Sequence, residues 1–498
     1  MKAKVLPLAV AAALASVAGS ASAAFTFSAA DTAVVHISGS SATNGQLKLY
    51  ATNVLCDTTK MAYFELTSDK KNQYAYVCTP KTGAISGLTK TNIAIVKNSN
   101  GGSGKGIGPL IDHSALSFID VFAADPTTTT VSAVPDIGVS DEEPKLLVDA
   151  GAAAGDYTKL NSYGLNVVTF GVPVSLGLYH ALQDAQYGAA CKGAAGVSPF
   201  DAAGFSTTEA CMPSLSKSQI ASIFTGQLVD WSELGLNNPS GDNTVYVARR
   251  VFSSGTQTGS RAFFLNDPCT PGAAQFISGD IAEANNAPNA CNAANYFGAR
   301  VFEGSGSGDV ESCVTNHDRN GRWVISINST EVPGLPGADQ VDEYATGSTV
   351  TTGNKIDNAA HQRHIKIDGF APTTWNVATG KYGNWVEAAM NVSNVYALSA
   401  DATAALNAMK RDFNAPAVLS GLNSGFNTTA LLHAAGDTLL DAGIMAPAHS
   451  MDGTAGPTIP ATKAATQAAP VNYYTHDAGG APNTCQPAFT LWATGLVK

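Results

Sequence analysis

The chain has 498 residues, of which 13% are charged and 45% hydrophobic, with a formal net charge of −11. That apolar content excludes a disordered chain, and the length exceeds a single typical core and suggests at least two. The acidic balance, without any basic cluster, argues against nucleic acid or an anionic membrane as partner.

The first residues carry the three parts of an export signal. Lys2 and Lys4 are followed by an apolar run from Val5 to Val17, then by Ala21-Ser22-Ala23, so cleavage is expected after Ala23. The run is shorter than the ~20 residues a bilayer requires, which argues against a membrane anchor. Lipidation at the signal is not expected either, because the first cysteine downstream is Cys56. No later stretch reads as a membrane span. The expected address is the periplasm or the surrounding medium.

The eight cysteines are Cys56, Cys78, Cys191, Cys211, Cys269, Cys291, Cys313 and Cys485. Their even number suits disulfides in an oxidising compartment, and the lack of any Cys-x-x-Cys pair weakens zinc or redox readings. Spacings of about twenty residues suggest that Cys56 pairs with Cys78, Cys191 with Cys211 and Cys269 with Cys291, leaving Cys313 for Cys485. Eight cysteines allow about 105 connectivities, so this is a preference among many.

Short β-branched runs alternate with helical patterns, as in an α/β sheet protein. Ala33–Ser38 reads as a strand turning at Gly39 into a helix with Leu47, Leu49 and Tyr50. Ile93–Val96 is a second strand, entering the Gly-rich loop Asn98–Gly108, and Asp136–Val139 a third, ending at Ser140-Asp141. Leu165–Val174 reads as a buried strand crossing into a second domain. The segment from Ser214 starts a serine-capped helix with Ile220, Ile223 and Phe224 at helical spacing. Strands are expected at Thr244–Ala248 and Trp323–Ile327, and regular structure resumes at Ile365–Phe370. A polar stretch, Gly337–Asn358, returns the chain, and the Ala-, Gly-, Pro- and Thr-rich segment from about Ala434 to Pro482 reads as an irregular covering extension.

Three strand ends share one design, a β-rich run stopping at Gly and hydroxyl residues before a turn or helix. They are Gly39-Ser40-Ser41-Ala42-Thr43, Ser99-Asn100-Gly101-Gly102-Ser103-Gly104 and Arg250-Val251-Phe252-Ser253-Ser254-Gly255-Thr256. Small residues permit close backbone approach, hydroxyls donate hydrogen bonds, and a following helix aims its free amides at the same spot. Such junctions suit a tetrahedral oxyanion.

In combination these segments resemble the substrate-binding protein of bacterial phosphate ABC transporters (PstS-like proteins). Gly39–Thr43 is similar to that family's Gly-x-Gly-Ala-Thr turn, Ser99-Asn-Gly-Gly to its Ser-Ser-Gly-Gly loop, and Asp136-Ile-Gly-Val-Ser-Asp141 to its Asp-Phe-Gly-Ala-Ser-Asp segment. Arg250–Thr256 resembles its Arg-x-Asp-Gly-Ser-Gly-Thr loop, and Leu215–Trp231 its Ile-Phe-x-Gly…Trp helix and turn. All five occur in family order over about residues 30 to 390.

The resemblance implies a two-lobed α/β fold of the type II periplasmic-binding-protein kind with hinge crossovers, here extended by disulfide-bounded insertions and the C-terminal extension. Lobe 1 would comprise residues 24–168 and 345–498, and lobe 2 residues 169–344. It implies ligand contacts at Thr43, Ser99, Asp141, Arg250, Ser254, Gly255 and Thr256. Arg250 would supply a bidentate charged fork. Asp141 would accept the proton of hydrogen phosphate and meet an unpaired oxygen on sulfate. The implied function is to hold phosphate or a related oxyanion between the lobes for uptake through an ABC permease, with no cofactor and no reaction.

The sequence departs from the family at several points. Phe252 stands where the family has an aspartate that orients the arginine, Asn44 replaces an aromatic, and Ser103 competes with Ser99 for the hydroxyl role in a longer loop. Lys105 reads as a solvated loop lysine more readily than as a ligand. These changes, the extra disulfide loops and the missing lipid anchor keep a second function open, a secreted surface or scaffold protein with an altered anion site. Ser99–Lys105 lacks the leading Gly and following Ser/Thr of a nucleotide loop. His361 and His364 lack a third metal ligand, and no nucleophile or metal supports an extracellular phosphoesterase.

Overall fold

The computed structural model describes residues 25–69, 72–197, 199–201, 203–277, 300–330, 362–427, 444–447, 470–476 and 482–490. The expected export signal, the polar return at 337–358, most of the C-terminal extension, Cys291 and His361 lie outside them.

The first half alternates strands with short helices. β1 (Thr32–Gly39) leads through the Gly-Ser turn to α1 (Asn44–Leu49), and the chain continues as a π-helical turn to Leu55. β2 (Cys56–Glu65) and β3 (Gln73–Pro80) form an antiparallel hairpin at the sheet edge, stapled by the Cys56–Cys78 disulfide. β4 (Asn92–Asn98) runs parallel to β1, then follow α2 (Gly108–Asp112), the hairpin of β5 (Leu116–Ile119) and β6 (Thr130–Ala133), β7 (Ile137–Ser140) parallel to β1, and α3 (Pro144–Asp149). Alternation in β4 divides the packing. Ile93 and Ile95 join the main core, while Ala94 and Val96 join a smaller core under Phe118 of β5.

β8 (Leu160–Ser175) connects the two halves of the sheet. Its first part pairs with β15 (Trp385–Ser393), and its last residues pair with β12 (Val324–Ser326) and β14 (Gln362–Ile367). The run from Leu165 to Ser175 is wholly buried, as a strand covered on both faces must be. The buried strand expected at Leu165–Val174 is thus present as part of a longer element.

The second half holds α4 (Leu176–Tyr187), β9 (Ser214–Leu215), α5 (Lys217–Phe224), β10 (Tyr246–Arg250), α6 (Gly255–Leu265), β11 (Val301–Gly304) and α7 (Ser307–Arg319), followed by β12 and β13 (Asn328–Ser329). β10 runs parallel to both β11 and β12. The serine-capped helix is present as α5: Ser216 caps it in a reciprocal box with Gln219, while Ser214 belongs to β9 and pairs with Lys366. The chain then returns through β14, α8 (Thr374–Ala378) and β15 to α9 (Ala400–Asp412) and α10 (Pro416–Asn427), which cover the first half. Among the described residues the result is one sheet of 14 strands, a mixed α/β arrangement whose two halves share β8.

The disulfides correct one expectation. Cys56–Cys78 and Cys191–Cys211 pair locally, but Cys269, just past α6, bonds Cys485 across a separation of 216 residues. Pairing of Cys269 with Cys291 and of Cys313 with Cys485 is therefore excluded. Among the described residues no helix is long and apolar enough to cross a membrane.

Candidate functional site

The carboxyl ends of parallel strands from both halves meet in one place. β1 ends at Gly39, β4 at Asn98 and β7 at Ser140 on one side, and β10 ends at Arg250 and β11 at Gly304 on the other. Crevices at the carboxyl ends of parallel strands are where α/β sheets bind ligands, since the loops and helix N-termini collect there. Gly39 is required at its position: φ is +101°, and a Cβ there would lie 2.1 Å from the Val139 carbonyl oxygen.

Asp141 is 1% exposed. The Ser40 hydroxyl donates to its Oδ1, the Thr256 hydroxyl donates to its Oδ2 at 3.2 Å, and its own amide donates to Ser103 Oγ at 2.9 Å. Burial pushes its carboxyl above the usual range, opposed by the Ser40 bond and the Arg250 charge. Glu142 beside it is also fully buried. Burial, then the charges of Asp141 and Glu143, push its carboxyl well above the usual range.

Arg250 is equally buried and makes four contacts. Nε donates to the Gly304 carbonyl at 3.2 Å and Nη2 to the Ser305 carbonyl at 2.6 Å, while Nη1 donates to the hydroxyls of Ser41 at 2.6 Å and Ser307 at 3.2 Å. Burial lowers its guanidinium to about 10, partly offset by Asp141. Phe252 orients nothing here. It is half-exposed, with the Arg261 guanidinium 4.7 Å from its ring centre. Carbonyls and hydroxyls of the turn after β11 take the orienting role that a carboxylate at 252 would have filled.

Ser254 caps α6, yet its hydroxyl makes no capping bond and, fully buried, has no hydrogen-bond partner. The Gly255 and Thr256 amides follow in the first turn, where no intrahelical acceptor exists. Gly255 lets that turn close on the other side: a Cβ would lie 2.4 Å from both Glu142 Oε2 and Ser103 Oγ. Gly102 likewise approaches Ser254 and Arg250.

The expected residues thus fall into two groups. Asp141, Arg250, Ser254, Gly255 and Thr256 converge. Thr43 and Ser99 are buried near them but turned aside, the Thr43 hydroxyl toward the Ser40 carbonyl at 3.1 Å and the Ser99 hydroxyl toward the Asn72 carbonyl at 3.0 Å. Ser103 makes the contact with the Asp141 segment, and Lys105 is exposed. Sequence reasoning missed Ser40, Ser41, Lys97, Ser305 and Ser307. The last two had a readable signal, because Gly304-Ser-Gly-Ser-Gly-Asp309 repeats the strand, small-residue turn and helix design. Among the described residues no group of three or more His, Cys, Asp or Glu side chains is placed to hold a metal, and His364 is buried in β14.

No family model and no curated protein matches the chain. Solved structures similar to it include a protein from Clostridium perfringens assigned as a phosphate ABC transporter substrate-binding protein, with phosphate bound. That likeness has 14% identity, covers 79% of this chain and 98% of that one, and has a TM-score of 0.41. An ABC-type phosphate transport receptor from Vibrio cholerae is 13% identical over 76% of this chain and 93% of that one, with a TM-score of 0.34. A human phosphate binding apolipoprotein is 16% identical over 76% and 90%, with a TM-score of 0.34.

Proposed function

We propose that the chain is an extracytoplasmic solute-binding protein that holds inorganic phosphate between its two halves and presents it for ABC-type uptake. The supporting observation is Ser254. Its fully buried hydroxyl has no partner and sits at the start of an 11-residue helix whose first turn carries Thr256, the donor to Asp141, and which packs with Arg250 around Gly102. Burying a hydroxyl without a partner costs free energy that a ligand can recover. A tetrahedral oxyanion supplies that partner: it accepts from Ser254, the first-turn amides of α6 and Arg250, and gives its proton to Asp141.

Residues 24–168 and 345–498 would form one lobe and 169–344 the other, hinged at β8, with closure enclosing the anion. Thr43 and Ser99 would turn toward it on binding. The address would follow from the export signal expected at residues 1–23, and a permease is the partner this role requires.

Calorimetric titration of the purified protein with phosphate, arsenate and sulfate tests the proposal. Heat is expected with phosphate and arsenate and little with sulfate, which has no proton for Asp141. Asp141→Asn should weaken phosphate by about a hundredfold, the effect of deleting one partner of a charge-assisted bond. No heat with phosphate would overturn the proposal and leave the surface or scaffold role standing.

A further inference from the structure

Lys97 is the sixth residue of β4, at the end of the apolar run Ile93–Val96, and it is fully buried. Its ammonium donates to the carbonyls of Gly39 at 2.7 Å and Ser40 at 3.0 Å. These are the carbonyls of the turn whose next residues meet Asp141 and Arg250. A trans peptide with its carbonyl held on one side presents the following amide on the other, so the lysine fixes how the Ser40-Ser41 peptide faces.

Buried lysines normally sit against a carboxylate. This one has two neutral carbonyls. The ionisable groups that act on it are Asp141, at the end of β7, which favours the charge, and Arg250, at the end of β10, which opposes it. Its ladder neighbours are Ile37 on β1 and Tyr74 on β3, and the turn Gly39–Thr43 is uncharged. Burial is the largest influence and lowers the ammonium to about 7. The buried charges are then Arg250 and Lys97 against Asp141.

We propose that Lys97 is the charge-setting residue of this site, a positioning group that acts through the Gly39–Ser41 turn and Asp141 and takes up a proton when a doubly charged tetrahedral oxyanion enters. The inference rests on the oxyanion function proposed above. A dianion adds negative charge beside a lysine that burial has made easy to deprotonate, so the ammonium form is favoured in the complex. Above neutral pH the free site is short of one positive charge, and binding restores it.

Titration calorimetry with phosphate at pH 8.5, in buffers of different ionisation enthalpy, counts the protons exchanged. Phosphate is already the dianion there, so uptake approaching one proton per site is expected from the protein itself, with affinity falling from pH 7 to pH 9 by about tenfold per unit. Lys97→Met should abolish the uptake, flatten that profile and weaken binding at pH 7 by about tenfold or more. Lys97→Arg, a permanent cation, should also abolish the uptake. Phosphate bound by the wild-type protein with no proton exchange, or a Lys97→Met profile parallel to the wild type, would overturn the role of Lys97 and leave the oxyanion function intact. Because the proton count is made on the unaltered protein, a variant that fails to fold does not remove the test. No phosphate binding at any pH would sink both.

Discussion

The Arg250 guanidinium donates to the Ser41 hydroxyl at 2.6 Å, joining the end of β10 to the turn after β1. The same hydroxyl oxygen accepts the Ser307 amide at 3.1 Å, at the start of α7, so it satisfies two buried donors from the far half of the sheet. Ser41→Ala leaves the Ser307 amide without that acceptor and Arg250 Nη1 with only Ser307 Oγ. The expected loss is about 1–3 kcal/mol, the penalty for orphaning buried donors. Urea melts should show a lower midpoint at unchanged slope. Saturating phosphate should narrow the gap, since an anion oxygen can take the freed donor, and a gap independent of phosphate would place Ser41 outside the site.

Glu143, two residues beyond Asp141, binds the C-terminal segment. The Thr484 amide donates to one carboxylate oxygen at 3.0 Å and its hydroxyl to the other at 2.9 Å. Burial nevertheless prevails and pushes the carboxyl up to about 7. A carboxyl raised in the folded state binds its proton more tightly there than in the unfolded chain. Its burial therefore costs nothing below about pH 4.5, and the full penalty has developed above about pH 7. Stability from this group falls as pH rises through that window, by about 3 kcal/mol on the usual conversion. Glu143→Gln keeps an acceptor and removes the titration. The stability difference between variant and wild type should shift in the variant's favour by a few kcal/mol from pH 5 to pH 7.5, and a constant difference would refute the assignment.

Much of this site was legible in the sequence, for a physical reason. A β-branched run that stops at glycine and serine can hardly be anything but a strand entering a close turn, so Gly39–Thr43 and Arg250–Thr256 could be read directly. What was missed has no such local signature. Lys97 ends an apolar run, where a lysine ordinarily reaches solvent, and only the fold shows the Gly39–Ser41 turn covering it. The side-chain directions of Thr43 and Ser99 depend on Ser40 and Asn72, partners that sequence does not identify. Cys56–Cys78 and Cys191–Cys211 close local loops and could be read from spacing, whereas Cys269–Cys485 is set by where the C-terminal segment docks.

That long-range disulfide ties the residue just past α6 to the segment whose Thr484 holds Glu143. Closing so long a loop restricts the unfolded chain strongly, and Cys269→Ser with Cys485→Ser should lower stability by about 2–5 kcal/mol. The loss should grow as pH rises through about 7, where Glu143 ionises and its desolvation works against the docked segment. Limited proteolysis should cut the C-terminal segment of the double variant before the rest of the chain. Equal protease resistance in variant and wild type would mean that the non-covalent contacts alone keep the segment in place.

Ser254 separates binding from folding most cleanly. Its hydroxyl is buried without a partner and makes no capping bond, so Ser254→Ala removes an unsatisfied polar atom and takes no hydrogen bond away. Folding stability should stay level or rise slightly, because the desolvation of that oxygen was uncompensated. Phosphate affinity should fall by about tenfold, the worth of one hydrogen bond to a charged acceptor. The two effects run in opposite directions, as expected where a group is kept for a ligand at the expense of the fold. Calorimetry with phosphate and a urea melt on the same preparation measure both. A variant that loses stability while holding phosphate as tightly as before would show that the hydroxyl serves the helix, and the anion would then have to be placed elsewhere.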